Sequence, residues 1–265
     1  GRFTPFGGGS NQIGLYFTMA TPLTLYAAIR TRYRSLKPFF YLFASLSFGM
    51  GLITASRSVA ATTSIALLPL LFHLTRRPLL TLVSSVLFIA GLLVILNLAQ
   101  GAARFERLGS LYTARYAQWW NYLKLVASRP MFGLMFSEGE SIHGSIQLGG
   151  GHPHNAYIKL LYLGGLSFFL PLFSMAVYSG LCGASVWFKR HRLSNDPLLI
   201  STLVAMLAAM YAHGFVNAAI YGSRHVWGFF HITLACLFVT AAADLRKQTQ
   251  SARWAGAAPQ LSHQY

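Results

Sequence analysis

Acidic residues are what this sequence has least of. Among 265 residues there are five Asp and Glu in all, Glu106, Glu138, Glu140, Asp196 and Asp244, against 21 Lys and Arg. Charged residues of both signs reach only 10%, where an ordinary soluble domain carries about 25%. Cysteine is nearly absent too: Cys182 and Cys236 both sit in apolar stretches, and their spacing fits neither a metal site nor a disulfide framework. So few carboxylates and thiols argue against a zinc or magnesium enzyme. His143, His152 and His154 would have only Glu138 and Glu140 near them as partners, and zinc sites usually recruit three or four ligands. A signal peptide is also missing: the start GRFTPFGGGS is polar and glycine-rich and lacks the basic, apolar and cleavage-site succession. The expectation is a piece of a longer protein.

What the sequence has in excess is apolar length. Hydrophobic residues make up 54% of the chain, and windows near the ~20 residues a bilayer demands occur at about 11–29, 38–55, 59–74, 79–98, 166–188, 198–220 and 226–243. None of the seven contains Asp, Glu, Lys or Arg. Without water in the hydrocarbon, open strands would leave backbone groups unbonded, so helices are the reading. The fold expected is all-α and integral to the membrane. Residues 1–98 would hold four spans, 99–165 a large extracytoplasmic loop, 166–243 three spans and 244–265 a cytoplasmic tail.

The net charge of +16 would suggest nucleic acid if it lay on one soluble face. It lies between apolar segments instead, and there it sets direction. Arg30, Arg32, Arg34, Lys37, Arg76, Arg77, Lys189, Arg190, Arg192, Arg246 and Lys247 fall in one set of short connections, while the opposite set holds only Arg57 and Arg224. Placing the basic set in the cytoplasm puts the 99–165 loop outside, with the carboxyl terminus inside.

A loop of that length is usually functional or disordered, and this one is not of low complexity. LYTARYAQWWNYLKLVA sets Tyr112, Tyr116, Trp119, Leu123 and Val126 at helical spacing, with Arg115, Gln118 and Lys124 turned elsewhere. Such a helix would lie in the membrane interface or pack on the protein's own outer surface. The densest polar cluster is HPHNAYIKLLYLGG at 152–165. Pro153 fixes its own backbone and pushes His152 toward an extended shape. Asn155 is a favoured cap for a helix from Ala156 to about Leu163. His154 therefore precedes a helix amino terminus, whose positive end disfavours imidazolium and attracts phosphate.

Each of these residues also has a plain structural reading. His154 can be a loop residue, Arg57 a solvated turn charge and Arg115 a snorkelling side chain. His213 and Asn217 offer bonds between helices, and His73 and His231 read as structural.

In order along the chain, GRFTPFGGGSNQIGLYFTMATPL, GMGLITASRSVAATTSIALL, RYAQWWNYLKLVASRPMFG and HNAYIKLLYLGG resemble segments of the bacterial O-antigen ligase and polymerase family, polytopic membrane glycosyltransferases. The resemblance implies the membrane-embedded glycosyltransferase fold, with further helices upstream. It implies metal-independent, inverting transfer of a glycan from undecaprenyl diphosphate to an acceptor hydroxyl of lipid A core or polysaccharide, at the periplasmic face of the inner membrane, with no cofactor and no nucleic acid. It assigns the essential histidine to His154 and the two functional arginines to Arg57 and Arg115, with Asn155 and Gly165 in support. A polysaccharide polymerase or a protein O-glycosyltransferase would share this chemistry. A transporter is the rival of another class, but ion-coupled transporters place ionisable groups inside their spans, and here only histidines occur there.

Overall fold

The computed structural model describes residues 10–53, 57–75, 83, 114–134, 154–193, 195–215 and 226–257. Among them there is no strand. The helices are α1 (Ser10–Arg30), α2 (Lys37–Ile53), α3 (Arg57–Thr75), α4 (Ala114–Ser128), α5 (Ala156–Phe188), α6 (Pro197–Gly214) and α7 (Val226–Ala257), with 3-10 turns at Arg34–Leu36 and Arg190–Arg192. Six of the seven overlap an expected span; apart from residue 83, the window 79–98 lies outside the described residues.

The expectation of a membrane protein is met in part. Two of the described helices, α5 and α6, are long and apolar enough to cross a membrane, and Thr62–Leu74 within α3 is a shorter apolar stretch. The most apolar window of α5 is only 28% buried. Its outward face presents Phe168, Leu170, Phe173, Val177, Leu181 and Phe188, and α2 likewise shows Phe39, Leu42, Phe43 and Leu46. Large apolar side chains exposed in such number along two helices suit contact with lipid or with another protein.

Where α1 meets α3 the residues are small. Gly14 lies against Val59, so close that a Cβ there would fall 2.0 Å from a Val59 methyl. One turn on, the Thr18 and Thr63 hydroxyls are 2.9 Å apart. Thr18, Thr21 and Thr24 also donate back to the carbonyls of Gly14, Phe17 and Ala20, so each hydroxyl is satisfied within its own helix. Small residues and hydroxyl bonds suit helix association in lipid, where apolar side chains gain nothing by leaving a solvent as apolar as themselves.

Pairwise contacts give the helix directions. The start of α1 meets the start of α3 (Gly14 and Val59) and the end of α2 (Phe17 and Gly51). The end of α3 meets the end of α5 (Phe72 and Trp187, ring centroids 5.0 Å apart). The end of α1 meets the start of α6 (Arg30 and Asp196), and the end of α6 meets the start of α5 (Gly214 and Tyr157). α7 runs beside both, with Phe238 against Gly183 and His231 edge-on to Tyr211 at 5.1 Å. Helices α1, α3, α5 and α7 thus run one way, α2 and α6 the other. The core between them holds Leu15, Met19, Val186, Met206, Met210, Leu234 and Phe238.

Two helix ends differ from the sequence reading, and the first is α6, which ends at Gly214 with Phe215 as its cap residue, short of the expected 220. α7 does not stop near 243 but continues to Ala257, with Leu245 still buried in the core. ADLRKQTQSARWAGA contains good helix formers and no proline, so nothing in its chemistry ends the helix where the apolar run ends.

Candidate functional site

The HN motif stands at the head of α5. Asn155 is extended, and its side-chain oxygen accepts from the Tyr157 and Ile158 N–H groups at 2.9 and 3.0 Å. Its carbonyl accepts from Lys159 at 3.0 Å. This is the cap the sequence suggested. It also consumes donors: the two N–H groups held by the carboxamide are no longer open to a phosphate, so an anion near this end would feel the helix dipole without those bonds.

His154 itself is exposed and has φ 46°, and it is the one non-glycine residue at positive φ among the described residues. The left-handed region costs a side-chain-bearing residue roughly 1–2 kcal/mol. Strain of that kind collects where a side chain must be aimed.

Gly165 divides α5. Its φ of 60° and ψ of −162° interrupt the helix between a short segment from Ala156 and the long apolar one that follows, as a boundary at 165/166 anticipates. The break is filled by the PMFG turn after α4. Leu166 and Ser167 donate their N–H groups to the Pro130 and Met131 carbonyls at 2.8 and 3.0 Å, and Leu134 donates to the Tyr162 carbonyl at 2.9 Å. Gly133, also at φ 60°, faces Gly165: a Cβ on Gly165 would come within 2.4 Å of the Met131 carbonyl, and one on Gly133 within 2.6 Å of the Gly165 nitrogen. Gly165 therefore meets the PMFG turn through backbone contact alone.

The same lock seats α4. Tyr122 and Tyr162 are fully buried and meet edge to face at 4.8 Å, joined by Leu134 and Ile158 and flanked by Trp119 and Val126. Burial, with the neighbouring Tyr162, pushes the Tyr122 phenol up to about 12, so it stays a neutral hydroxyl. The apolar face expected for this helix needs correction. Trp119 and Val126 do face the protein, but Tyr116 and Leu123 are exposed along with Trp120; Tyr112 lies outside the described residues. The helix is apolar on two sides: Trp119, Tyr122 and Val126 pack inward, and Tyr116, Trp120 and Leu123 point out.

Arg57 opens α3, and Arg115 stands in the first turn of α4; the side chains of both lie outside the described residues, as do His143, His152, Glu138, Glu140 and Asn217. The helix directions nevertheless put the start of α3 and the start of α5 at one end of the bundle. α4 joins that end through Tyr122 and Tyr162. His154, Arg57 and Arg115 thus belong to elements gathered at the same end, each at or beside a helix amino terminus.

No family model matches the chain, and no curated protein matches it.

Several residues with a part in this end escaped the sequence reading. Tyr157 lays its ring against Gly214 and Phe215 and donates its hydroxyl to the Tyr211 carbonyl at 3.2 Å. Tyr211 in turn bonds Ser179. This chain of aromatic and hydroxyl groups ties the head of α5 to α6. Its one sequence signal was a tyrosine two places after the capping asparagine.

Proposed function

We propose that this chain, crossing the bilayer about seven times, is part of a polytopic inner-membrane glycosyltransferase that moves a glycan from undecaprenyl diphosphate to an acceptor hydroxyl at the periplasmic face. The acceptor is a sugar of lipid A core or of a polysaccharide. His154 takes the proton from that hydroxyl; the freed oxygen attacks the anomeric carbon from the side opposite the diphosphate. As the bond from that carbon to the diphosphate oxygen breaks, the electron pair leaves with the carrier and the anomeric configuration inverts. The transition state is oxocarbenium-like. Charge growing on the diphosphate oxygens is met by Arg57 and Arg115, whose forked guanidinium groups suit phosphate.

The observation that carries this reading is the backbone of His154: an exposed imidazole held at φ 46° at the head of a capped helix, on elements grouped with those that bear Arg57 and Arg115. Asn155 fixes the helix start and so the direction from which His154 is presented. Gly165 lets the PMFG turn close behind it. The exposed apolar faces of α2 and α5 and the exposed row Tyr116, Trp120 and Leu123 on α4 support a bilayer setting, where such aromatic residues line the interface.

The test is His154→Ala in the full-length protein, read as surface glycan by gel and as membrane abundance by immunoblot. A positioned general base is typically worth ~10²- to 10⁴-fold in rate, so the glycan should vanish while abundance holds. Near-normal glycan would sink the proposal. Lipid-linked glycans accumulating in the deletion strain divide the acceptor classes: long polymers indicate a ligase, single repeats a polymerase.

A further inference from the structure

The opposite end of the bundle holds a second polar cluster that glycan transfer does not use. After Phe188 the chain turns through Arg190–Arg192, and Arg190 folds back until it is only 7% exposed. Its guanidinium lies over the Trp187 ring at 5.0 Å, donates Nη1 to the Trp187 carbonyl at 2.8 Å and donates Nε to Nδ1 of His73 at 3.2 Å. The His191 ring stacks on His73 at 6.3 Å. Phe72, His73, Arg190 and His191 wall a pocket of about 380 Å³.

A buried cation needs an anion, and among the described residues Arg190 pairs with no carboxylate. Asp196, closest to it in sequence, is engaged by Arg30, the Leu198 N–H and the Tyr26 hydroxyl. Loss of hydration lowers the pKa of Arg190 from its ordinary value. A guanidinium has five N–H donors in a fixed fork, and its two bonds leave three. Because Nδ1 of His73 accepts from Arg190, the proton of that neutral ring belongs on Nε2, a further donor, and His191 adds another imidazole. A group with several acceptor oxygens and negative charge fits this set, and phosphate on a guanidinium is a strong, forked pairing of this kind.

We propose that the Phe72–His73–Arg190–His191 pocket binds a phosphate group, carried by an anionic phospholipid headgroup or present as free phosphate, with Arg190 as the charged anchor. The lipid source rests on α5 crossing a bilayer; the free anion does not.

The full-length protein in phosphatidylcholine nanodiscs would be compared with the same protein in discs that also contain phosphatidylglycerol. Separately, inorganic phosphate would be titrated into the neutral discs against sodium chloride of equal ionic strength. The readouts are the thermal midpoint and the emission of Trp187, isolated by subtracting a Trp187→Phe variant. Phosphatidylglycerol, phosphate or both should raise the midpoint and shift the emission, and whichever acts names the source. Arg190→Gln should weaken binding by about tenfold or more. His191→Glu, on the exposed turn, should do the same without disturbing the packed guanidinium, and it decides the matter if Arg190→Gln fails to insert. The inference is overturned if neither source moves the readouts beyond chloride, or if His191→Glu binds as tightly as the unaltered protein. Membrane insertion, scored by flotation, shows separately whether the bilayer reading has failed.

Discussion

At the scale of single residues, backbone and side chain can be tested apart. His154 sits where glycine is at ease, so His154→Gly adds no backbone strain and should abolish transfer while the protein still folds and inserts. A clear fall in midpoint would mean that the imidazole itself holds the structure, and the catalytic proposal would lose its main support. Gly165 and Gly133 give the contrary case. A methyl at Gly165 meets backbone at 2.4 Å and a left-handed φ at once, and backbone cannot step aside as a side chain can. Gly165→Ala should cost about 3 kcal/mol or more, read as a large drop in midpoint or in membrane abundance. Gly49, inside α2 with nothing within 4 Å of its Cβ position, should behave oppositely: Gly49→Ala should gain roughly 0.5–1 kcal/mol from helix propensity alone.

At the scale of elements, what was legible in the sequence was what local chemistry decides. Asn155 before an apolar run declares a cap because its side chain can reach only its own neighbours, and Gly165 declares a break for a similar reason. The inward face of α4 was not legible. Tyr116, Trp119, Trp120, Tyr122, Leu123 and Val126 are apolar around most of the helix, so periodicity could not say which stripe meets protein. Tyr162, forty residues away, decides that. The pocket at Arg190 was hidden for the same reason: His73 and Arg190 are 117 positions apart, and each alone reads as a helix-end residue. Asp196 shows how an element start depends on such a distant partner, since it caps α6 through the Leu198 N–H at 3.0 Å and also pairs with Arg30 of α1. Burial raises the Asp196 pKa, but the Arg30 bond, the Leu198 N–H and the Tyr26 hydroxyl outweigh it and hold the carboxyl below its ordinary value. The stabilisation is therefore present above the unfolded value near ~4 and is lost as pH falls through the folded value below it. Asp196→Asn keeps an acceptor for the cap and loses the half-exposed side-chain contacts to Arg30 and Tyr26, so it should cost about 1 kcal/mol or less. Asp196→Ala loses both and should cost about 1–2 kcal/mol. Thermal midpoints of the two variants and the native protein, compared at neutral pH and near pH 3, check this: the native protein should fall toward the Asp196→Asn value in acid.

At the scale of the whole molecule, the charge asymmetry and the helix directions are independent observations that meet. The sequence divides its short-loop cations eleven to two, a pattern set by how a chain is inserted into a membrane. The contacts, which know nothing of membranes, bring Arg30, His73, Arg190 and Asp196 to one end and the starts of α1, α3 and α5 to the other. If the basic end is cytoplasmic, His154 and the PMFG turn face outward, where polyprenyl-linked glycans would be used; the reverse orientation would put the proposed base on the wrong side of the bilayer for its substrate. Single cysteines can decide. With Cys182 and Cys236 replaced, a cysteine at exposed Phe132 should react with a membrane-impermeant maleimide in intact spheroplasts. One at exposed Tyr33, in the RTRYR segment between α1 and α2, should react only after lysis. Both positions lie outside the packed core, so neither substitution should disturb folding. Labelling of position 33 in intact spheroplasts, with 132 protected until lysis, would invert the protein and end the proposal that His154 acts on a periplasmic glycan.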